Sequence, residues 1–358
     1  MILLLYLRKG SGRQKRAYFL KGIWVNKSWT EEKALCQIWS EVQSYLEVEI
    51  KAVDHLIHQR LQSPVSLISK ISEHLIWAGG KRIRPLLLLL SSKLIGYEGT
   101  RTINLAAAIE FIHTATLLHD DVVDESPQRR GLETAQTLWG NKASILVGDF
   151  LFTRAFECMI EDGSLQILKI LSRSASLIAQ GEVLQLEVLH DLDLKESQYQ
   201  EIIEAKTASL FEAACHIGAI LGGASSEECE DLRRYGRFLG VLFQMTDDLL
   251  DYKEGAAGKE KGVDFREGKV TLPVLLAYER GGETERVFWK RTFYEHQQKA
   301  GDFEQAQLYL EKHHIYDEIQ NKLLDVSSSS KKMLDIFPES RERQFLLNLV
   351  DFTLWRTF

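Results

Sequence analysis

Two stretches of the chain each carry three aspartates at a spacing suited to metal chemistry: HDDVVDE, with Asp120, Asp121 and Asp124, and TDDLLDYKE, with Asp247, Asp248 and Asp251. On a helix, positions i and i+4 lie one above the other, so Asp120 sits beside Asp124 and Asp247 beside Asp251. Like charges at that spacing repel and destabilise the helix unless something neutralises them. Hard divalent cations do so, and Mg²⁺ favours one or two carboxylates completed by water and substrate phosphates. A single cluster of this kind is as readily a solvated acidic face. Here apolar runs lead into both (ATLLH and GVLFQMT), and the pattern recurs 127 residues on, from Asp120 to Asp247. That places both clusters at the mouth of a cavity.

Basic groups complement the acids. GGKRIRP supplies Lys81, Arg82 and Arg84; PQRRG supplies Arg129 and Arg130; Lys206, Lys259 and Lys269 follow. Arginine forks match phosphate oxygens bidentately, and lysine acts as a mobile point charge. Any one of them is more often a solvated surface residue. Their placement beside glycine turns and acidic clusters argues instead for a site that binds two diphosphates.

The elements that must position these groups are helices. Helix-type spacing recurs, as in Ile103, Ala107, Phe111, Ala115 and Leu118 or in Phe238, Leu242, Met245 and Leu249, whereas strand alternation is hard to find. The stretch from Gln128 to Leu272 holds none of the five prolines, so long unbroken helices are expected there. Breaks are expected at Gly79-Gly80, Gly96 to Gly99, Pro127 to Gly131, Gly222 to Ser226 and Gly255 to Gly268, with Ser327 to Ser330 as a further helix connection. The Gly255 to Gly268 stretch is long enough for a functional lid. With no linker in view, the chain reads as all-α: one catalytic domain over 31–358 behind a basic extension over 1–30.

That extension carries Arg8, Lys9, Arg13, Lys15, Arg16, Lys21 and Lys27 before the first acid, Glu31. Its apolar MILLLYL precedes the charges, the reverse of a secretory signal. A transit peptide, a membrane-surface anchor and an upstream start remain open, and a dispensable extension is favoured. A net charge of -7 argues against general nucleic-acid binding. Four scattered cysteines, none at C-x-x-C spacing, suit a reducing compartment, so a cytoplasmic location is expected. No apolar run approaches the ~20 residues needed to span a bilayer.

Together GGKRIRP, FIHTATLLHDDVVDESPQRRG, Lys206-Thr207, FQMTDDLLDYKE and GK…REGKVTLP occur in the order found in the trans-prenyl diphosphate synthases, the polyprenyl synthetase family. The chain resembles that family from about Glu41 to Phe358. The resemblance implies a helical bundle of the isoprenoid synthase type with a central active-site cavity. It also implies three Mg²⁺ ions with bound diphosphate, and isopentenyl and allylic diphosphates as substrates. Lys81, Arg84, His113 and Arg130 match positions that bind isopentenyl diphosphate. Arg129, Lys206, Thr207, Gln244 and Lys259 match positions that contact the allylic substrate. Asp120 and Asp124, with Asp121 beside them, match the first metal motif; Asp247, Asp248 and Asp251 match the second. Lys269 is similar to a lysine of the family's flexible region, and His119 is read as a core histidine.

The implied mechanism is electrophilic: the allylic diphosphate ionises, the double bond of isopentenyl diphosphate attacks, and a proton leaves, to the departing diphosphate. No protein nucleophile is required. In this family an aromatic residue one turn before the first aspartates closes the product pocket. Ala115 and Thr116 stand there, with Phe111 and Ile112 a turn earlier. ATLLHDDVVDES also resembles the long-chain branch that makes quinone side chains. The expected product has about eight to ten isoprene units. The rivals are a farnesyl or geranylgeranyl diphosphate synthase, a non-catalytic partner subunit and a terpene cyclase. Intact aspartate motifs disfavour the last two. The family also implies a homodimer, and a greasy product suggests peripheral membrane contact.

Overall fold

The computed structural model describes residues 18–20, 23–25, 30–77, 80–129, 131–253 and 261–356. Four helices lead in: α1 (Thr30–Tyr45), α2 (Glu47–Arg60), α3 (Ser66–Trp77) and α4 (Ile83–Leu94). The first aspartates end α5 (Arg101–Val123), followed by α6 (Ala135–Trp139), α7 (Asn141–Asp162), α8 (Leu165–Glu187) and α9 (Glu196–Ile203). A π-helical turn, Glu204–Ala208, joins α9 to α10 (Ser209–Gly222), and α11 (Ser226–Tyr252) carries the second aspartates. Then come α12 (Val263–Glu267), α13 (Leu272–Arg280), α14 (Glu283–Trp289), α15 (Asp302–Lys312), α16 (Ile315–Lys332) and α17 (Arg341–Trp355), with a second π-turn at Lys290–Tyr294. The strands among the described residues are two short hairpins, β1 (Tyr18–Leu20) with β2 (Ile23–Val25) and β3 (Gln128–Arg129) with β4 (Leu132–Glu133).

The core explains this arrangement. Leu86 to Leu90 are all buried, so α4 is apolar on every side and must lie inside. It packs on α5 and α10, and α10 packs in turn on α11. One continuous cluster of buried side chains runs from Val42 to Leu354. Among the described residues no helix is long and apolar enough to cross a membrane.

Two expectations are corrected. The proline-free stretch is broken at Val188–Lys195, where His190 takes a positive φ of 68° and Asp191 Oδ1 accepts the Asp193 N–H at 2.9 Å. An aspartate side chain replaces the helical bond there, without glycine or proline. Ser327 to Ser330 lies inside α16 and is no connection. Ser329 donates back to the Asp325 carbonyl at 2.9 Å, and Ser327 and Ser330 are buried, their small side chains suiting the close packing of α16 on α11.

Glycines set how closely α11 approaches its neighbours. A Cβ at Gly236 would stand 2.5 Å from the Phe211 carbonyl oxygen, and one at Gly240 2.5 Å from Ala208 Cα. Both obstacles are backbone and cannot rotate away. We therefore expect Gly240→Ala to cost about 2 kcal/mol in equilibrium urea unfolding, the usual penalty for overpacking. An unchanged midpoint would contradict this packing.

Candidate active site

The first aspartate cluster closes the C-terminal end of α5. Asp120 is partly buried, and burial holds its carboxyl above the usual range despite the opposing Lys206 charge. Asp121 is also raised by burial, while Arg129 Nε donates to its Oδ1 at 2.7 Å. The β3–β4 hairpin that follows Pro127 is what turns Arg129 back onto Asp121. Asp124 pairs with Lys269 Nζ at 2.9 Å, and the same ammonium lies 2.8 Å from Glu267. Burial would lower the Lys269 ammonium; Asp124 and Glu267 outweigh it and hold it above its ordinary value.

The second cluster lies on the last turns of α11. Asp247 pairs with Arg356 at 3.1 Å. Arg356 is buried, stacks 3.8 Å from the Phe243 ring centroid and donates to the Phe243 carbonyl at 2.7 Å. Asp248 is buried, which pushes its carboxyl up to about 6, against hydrogen bonds from Tyr199 and Gln244. Asp251 accepts the backbone N–H groups of Val263 at 3.1 Å and Asp264 at 3.0 Å, which seats the first turn of α12 on it. Asp264 is partly buried beside Asp248 and Asp251, and its desolvation there raises its carboxyl well above the usual range.

Two routes join the clusters. Lys269 binds Asp124 from the segment whose Asp264 lies against the second cluster. The other route is the π-turn: Lys206 donates to Glu182 at 2.7 Å and to Gln185 at 3.1 Å, and its charge reaches Asp120. The adjoining Thr207 donates to Gln244 Oε1 at 2.7 Å, and Gln244 Nε2 donates to Asp248 Oδ1 at 2.7 Å. The turn is tightly seated, for a Cβ at Gly181 on α8 would stand 2.8 Å from the Lys206 backbone nitrogen. π-turns interrupt helices mostly where a site requires it.

The GGKRIRP cations diverge. Arg82 takes the left-handed conformation (φ 51°) and binds Asp54 at 3.1 Å and Glu110 at 2.5 Å, so it ties α4 to α2 and α5. Arg84 lies 4.6 Å from the Phe211 ring centroid, and burial lowers it to about 10 against the pull of Glu110 and Asp247. Its Nε is buried with no hydrogen-bond partner, a donor suited to an anion. Lys81 Nζ lies 5.3 Å from the centroid of Phe352. His113 stands two turns before Asp120, partly buried, and its carbonyl accepts the Thr116 hydroxyl at 2.8 Å. His119 packs over Gly148, reaches the Ile145 carbonyl at 3.2 Å and lies 3.6 Å from Asp149, so it is a partly exposed contact between α5 and α7 rather than a core histidine. Phe111, Ile112 and Ala115 are buried, while Thr116 keeps accessible surface. Arg130 and Lys259 lie outside the described residues.

Sequence reasoning missed Glu182, Tyr199, Asp264 and Arg356. Burial raises the Glu182 carboxyl to about 7 beside Lys206 and Asp120. Its QGEVLQ setting is that of any helical acid; Gly181, which lets α8 touch the π-turn, is the one local signal. Asp264 sits within the lid-like stretch, and Arg356 near the chain end.

The donor set is entirely oxygen, and its acids outnumber what the neighbouring cations offset. That suits a hard divalent cation. Among the described residues no three acidic, histidine or cysteine side chains gather closely enough to hold a metal alone. Phosphate oxygens and water would complete the shell of such a cation.

A sequence profile described as polyprenyl synthetase matches residues 65–310. The chain is 39% identical over 320 residues to octaprenyl diphosphate synthase of Haemophilus influenzae, covering 89% of this chain and 97% of that one. A crystal structure of polyprenyl synthase from Caulobacter crescentus complexed with calcium and isoprenyl diphosphate is 45% identical with a TM-score of 0.86, covering 89% and 98%. A decaprenyl diphosphate synthase from Rhodobacter capsulatus is 42% identical with a TM-score of 0.84, covering 88% and 98%. The chain belongs to the polyprenyl synthetase family.

If Asp251 seats α12, removing its carboxylate exposes two amides. In Asp251→Ala, without metal or substrate, the Val263 and Asp264 amides are expected to exchange with deuterium about tenfold faster or more. Unchanged rates would contradict that role.

Proposed function

We propose that the protein condenses isopentenyl diphosphate onto an allylic diphosphate, making a long-chain all-trans polyprenyl diphosphate of about eight to ten isoprene units, a quinone side-chain precursor. The observation that carries this reading is the joining of two partly buried aspartate clusters by Lys269 and by the Lys206–Thr207 π-turn. The octaprenyl and decaprenyl synthases reported above support the product class, as the calcium and isoprenyl diphosphate of the Caulobacter structure support a divalent cation.

Asp120 and Asp124 on one side and Asp247 and Asp251 on the other would hold Mg²⁺, three ions with the diphosphate. When bound, the metal supplies charge neutralisation of the leaving diphosphate. Lys206 and Arg129, with Lys259, hold the allylic diphosphate and stabilise the charge it carries away. Thr207 and Gln244 present oxygens toward the allylic carbon as positive charge develops. Lys81, Arg84, His113 and Arg130 hold isopentenyl diphosphate, and the unpartnered Nε of Arg84 offers a buried donor for it. Asp121 acts by orienting Arg129, and Asp248 by orienting Gln244.

The catalytic domain spans 31–358 behind the basic extension over 1–30, for which a dispensable role is favoured and peripheral membrane contact during product release is the alternative to test. Membrane contact predicts that deleting residues 1–30 reduces vesicle partitioning; unchanged partitioning would rule that out. The working form is a homodimer. On α7, Ile145, Leu146, Phe156 and Ile160 are exposed along one side, and on α8 Leu165, Val183 and Leu186 are likewise exposed. Replacing Phe156 and Ile160 with Lys should halve the mass in sedimentation; a wild type already monomeric would contradict the dimer.

The function is tested with labelled isopentenyl diphosphate, farnesyl diphosphate and Mg²⁺, followed by separation of the dephosphorylated products by length. A dominant long polyprenol is expected, and no product with any allylic primer would overturn the reading. Thr116 is the residue of the product-pocket set with accessible surface, so Thr116→Phe should shorten the dominant product. Unchanged length would contradict the pocket along α5.

A further inference from the structure

Tyr199 on α9 is 3% exposed, and its hydroxyl donates to Asp248 Oδ2 at 2.6 Å. The other oxygen of that carboxylate accepts Gln244 Nε2 at 2.7 Å, and Gln244 Oε1 accepts the Thr207 hydroxyl at 2.7 Å. Three elements, α9, α11 and the π-turn, are thereby joined by one chain of side-chain hydrogen bonds. An ionised carboxylate only accepts, so Asp248 forces the amide of Gln244 to turn its NH₂ inward. The amide oxygen is left facing Thr207. Both oxygens of Asp248 thus accept side-chain donors, one from α9 and one from α11.

We propose that Tyr199 is a positioning residue for the allylic half of the site: through Asp248 it fixes the orientation of Gln244 and, through Gln244, that of Thr207. This rests on the reading of Gln244 and Thr207 as allylic-side residues. Without the tyrosine hydroxyl, the buried Asp248 loses one of its two donors. Its carboxylate is then free to rotate, and Gln244 and Thr207 lose a fixed geometry. Networks of this kind act as a unit, so their members couple without touching. None of these hydrogen bonds involves Arg84, so the isopentenyl side should respond far less to the change.

The test compares wild type, Tyr199→Phe, Thr207→Val and the double variant, with KM measured separately for farnesyl diphosphate and for isopentenyl diphosphate. Tyr199→Phe keeps the buried ring, and near-ultraviolet circular dichroism checks that each variant is folded. KM for farnesyl diphosphate is expected to rise about tenfold, the scale of one hydrogen bond to a charged group. KM for isopentenyl diphosphate should stay within about twofold of wild type, well below that scale. The double variant should fall short of the product of the single effects by more than about threefold, as linked residues do. A merely structural tyrosine would raise both KM values together or give multiplicative effects, and either result overturns the proposal. So does a Tyr199→Phe enzyme with unchanged KM values. If Tyr199→Phe does not fold, the pair Thr207→Val and Gln244→Ala reports on the remaining link, and independent effects there overturn the proposal equally. An inactive wild type would instead count against the condensation reading itself, so the two failures are distinguishable.

Discussion

The repulsion among partly desolvated carboxylates is the constraint around which the site is built. Asp120, Asp121, Asp248, Asp251, Asp264 and Glu182 are each pushed upward by burial, and several neighbour one another. Burying like charges is tolerable only when each has a partner. The chain supplies partners from far apart: Arg129 from a hairpin, Lys206 from a π-turn, Lys269 from beyond α12 and Arg356 from beyond α17. Much of the tertiary architecture is what it takes to bring these cations to α5 and α11.

The π-turn shows how packing and chemistry are joined. One extra residue in the turn lets Lys206 face Glu182 while Thr207 faces Gln244. It can sit there because Gly181 on one side and Gly240 on the other admit its backbone closely. A side chain on either glycine would press on main chain that has nowhere to move. The lid-side helix α12 is seated in a comparable way, by both oxygens of Asp251. An acidic residue of the second motif thus also organises the surrounding backbone, in addition to the metal-holding role proposed for it.

Much of this was legible in the sequence, and unevenly. The aspartate clusters were visible because i, i+4 spacing is a local property, and α5 and α11 because their apolar patterns are too. The turn at Val188–Lys195 was not, since its stop comes from the Asp191 side chain rather than from glycine or proline. Ser327 to Ser330 looked like a break because serine is common in turns, yet burial against α11 keeps it helical. Arg82 read as a phosphate ligand like its neighbours, and only its partners Asp54 and Glu110 mark it as a strut. Glu182, Tyr199 and Arg356 owe their places to residues 24, 49 and 109 positions away, a relation no local pattern records.

If the two acidic clusters hold a divalent cation as proposed, they should do so only together with a diphosphate. Calorimetric titration of the metal-free protein with Mg²⁺ tests it, alone and then saturated with an unreactive thio-analogue of farnesyl diphosphate, correcting for metal bound by the analogue in solution. Weak uptake by the protein alone and tight uptake with the analogue present is the expected result. Tight uptake by the protein alone, unchanged by the analogue, would contradict it.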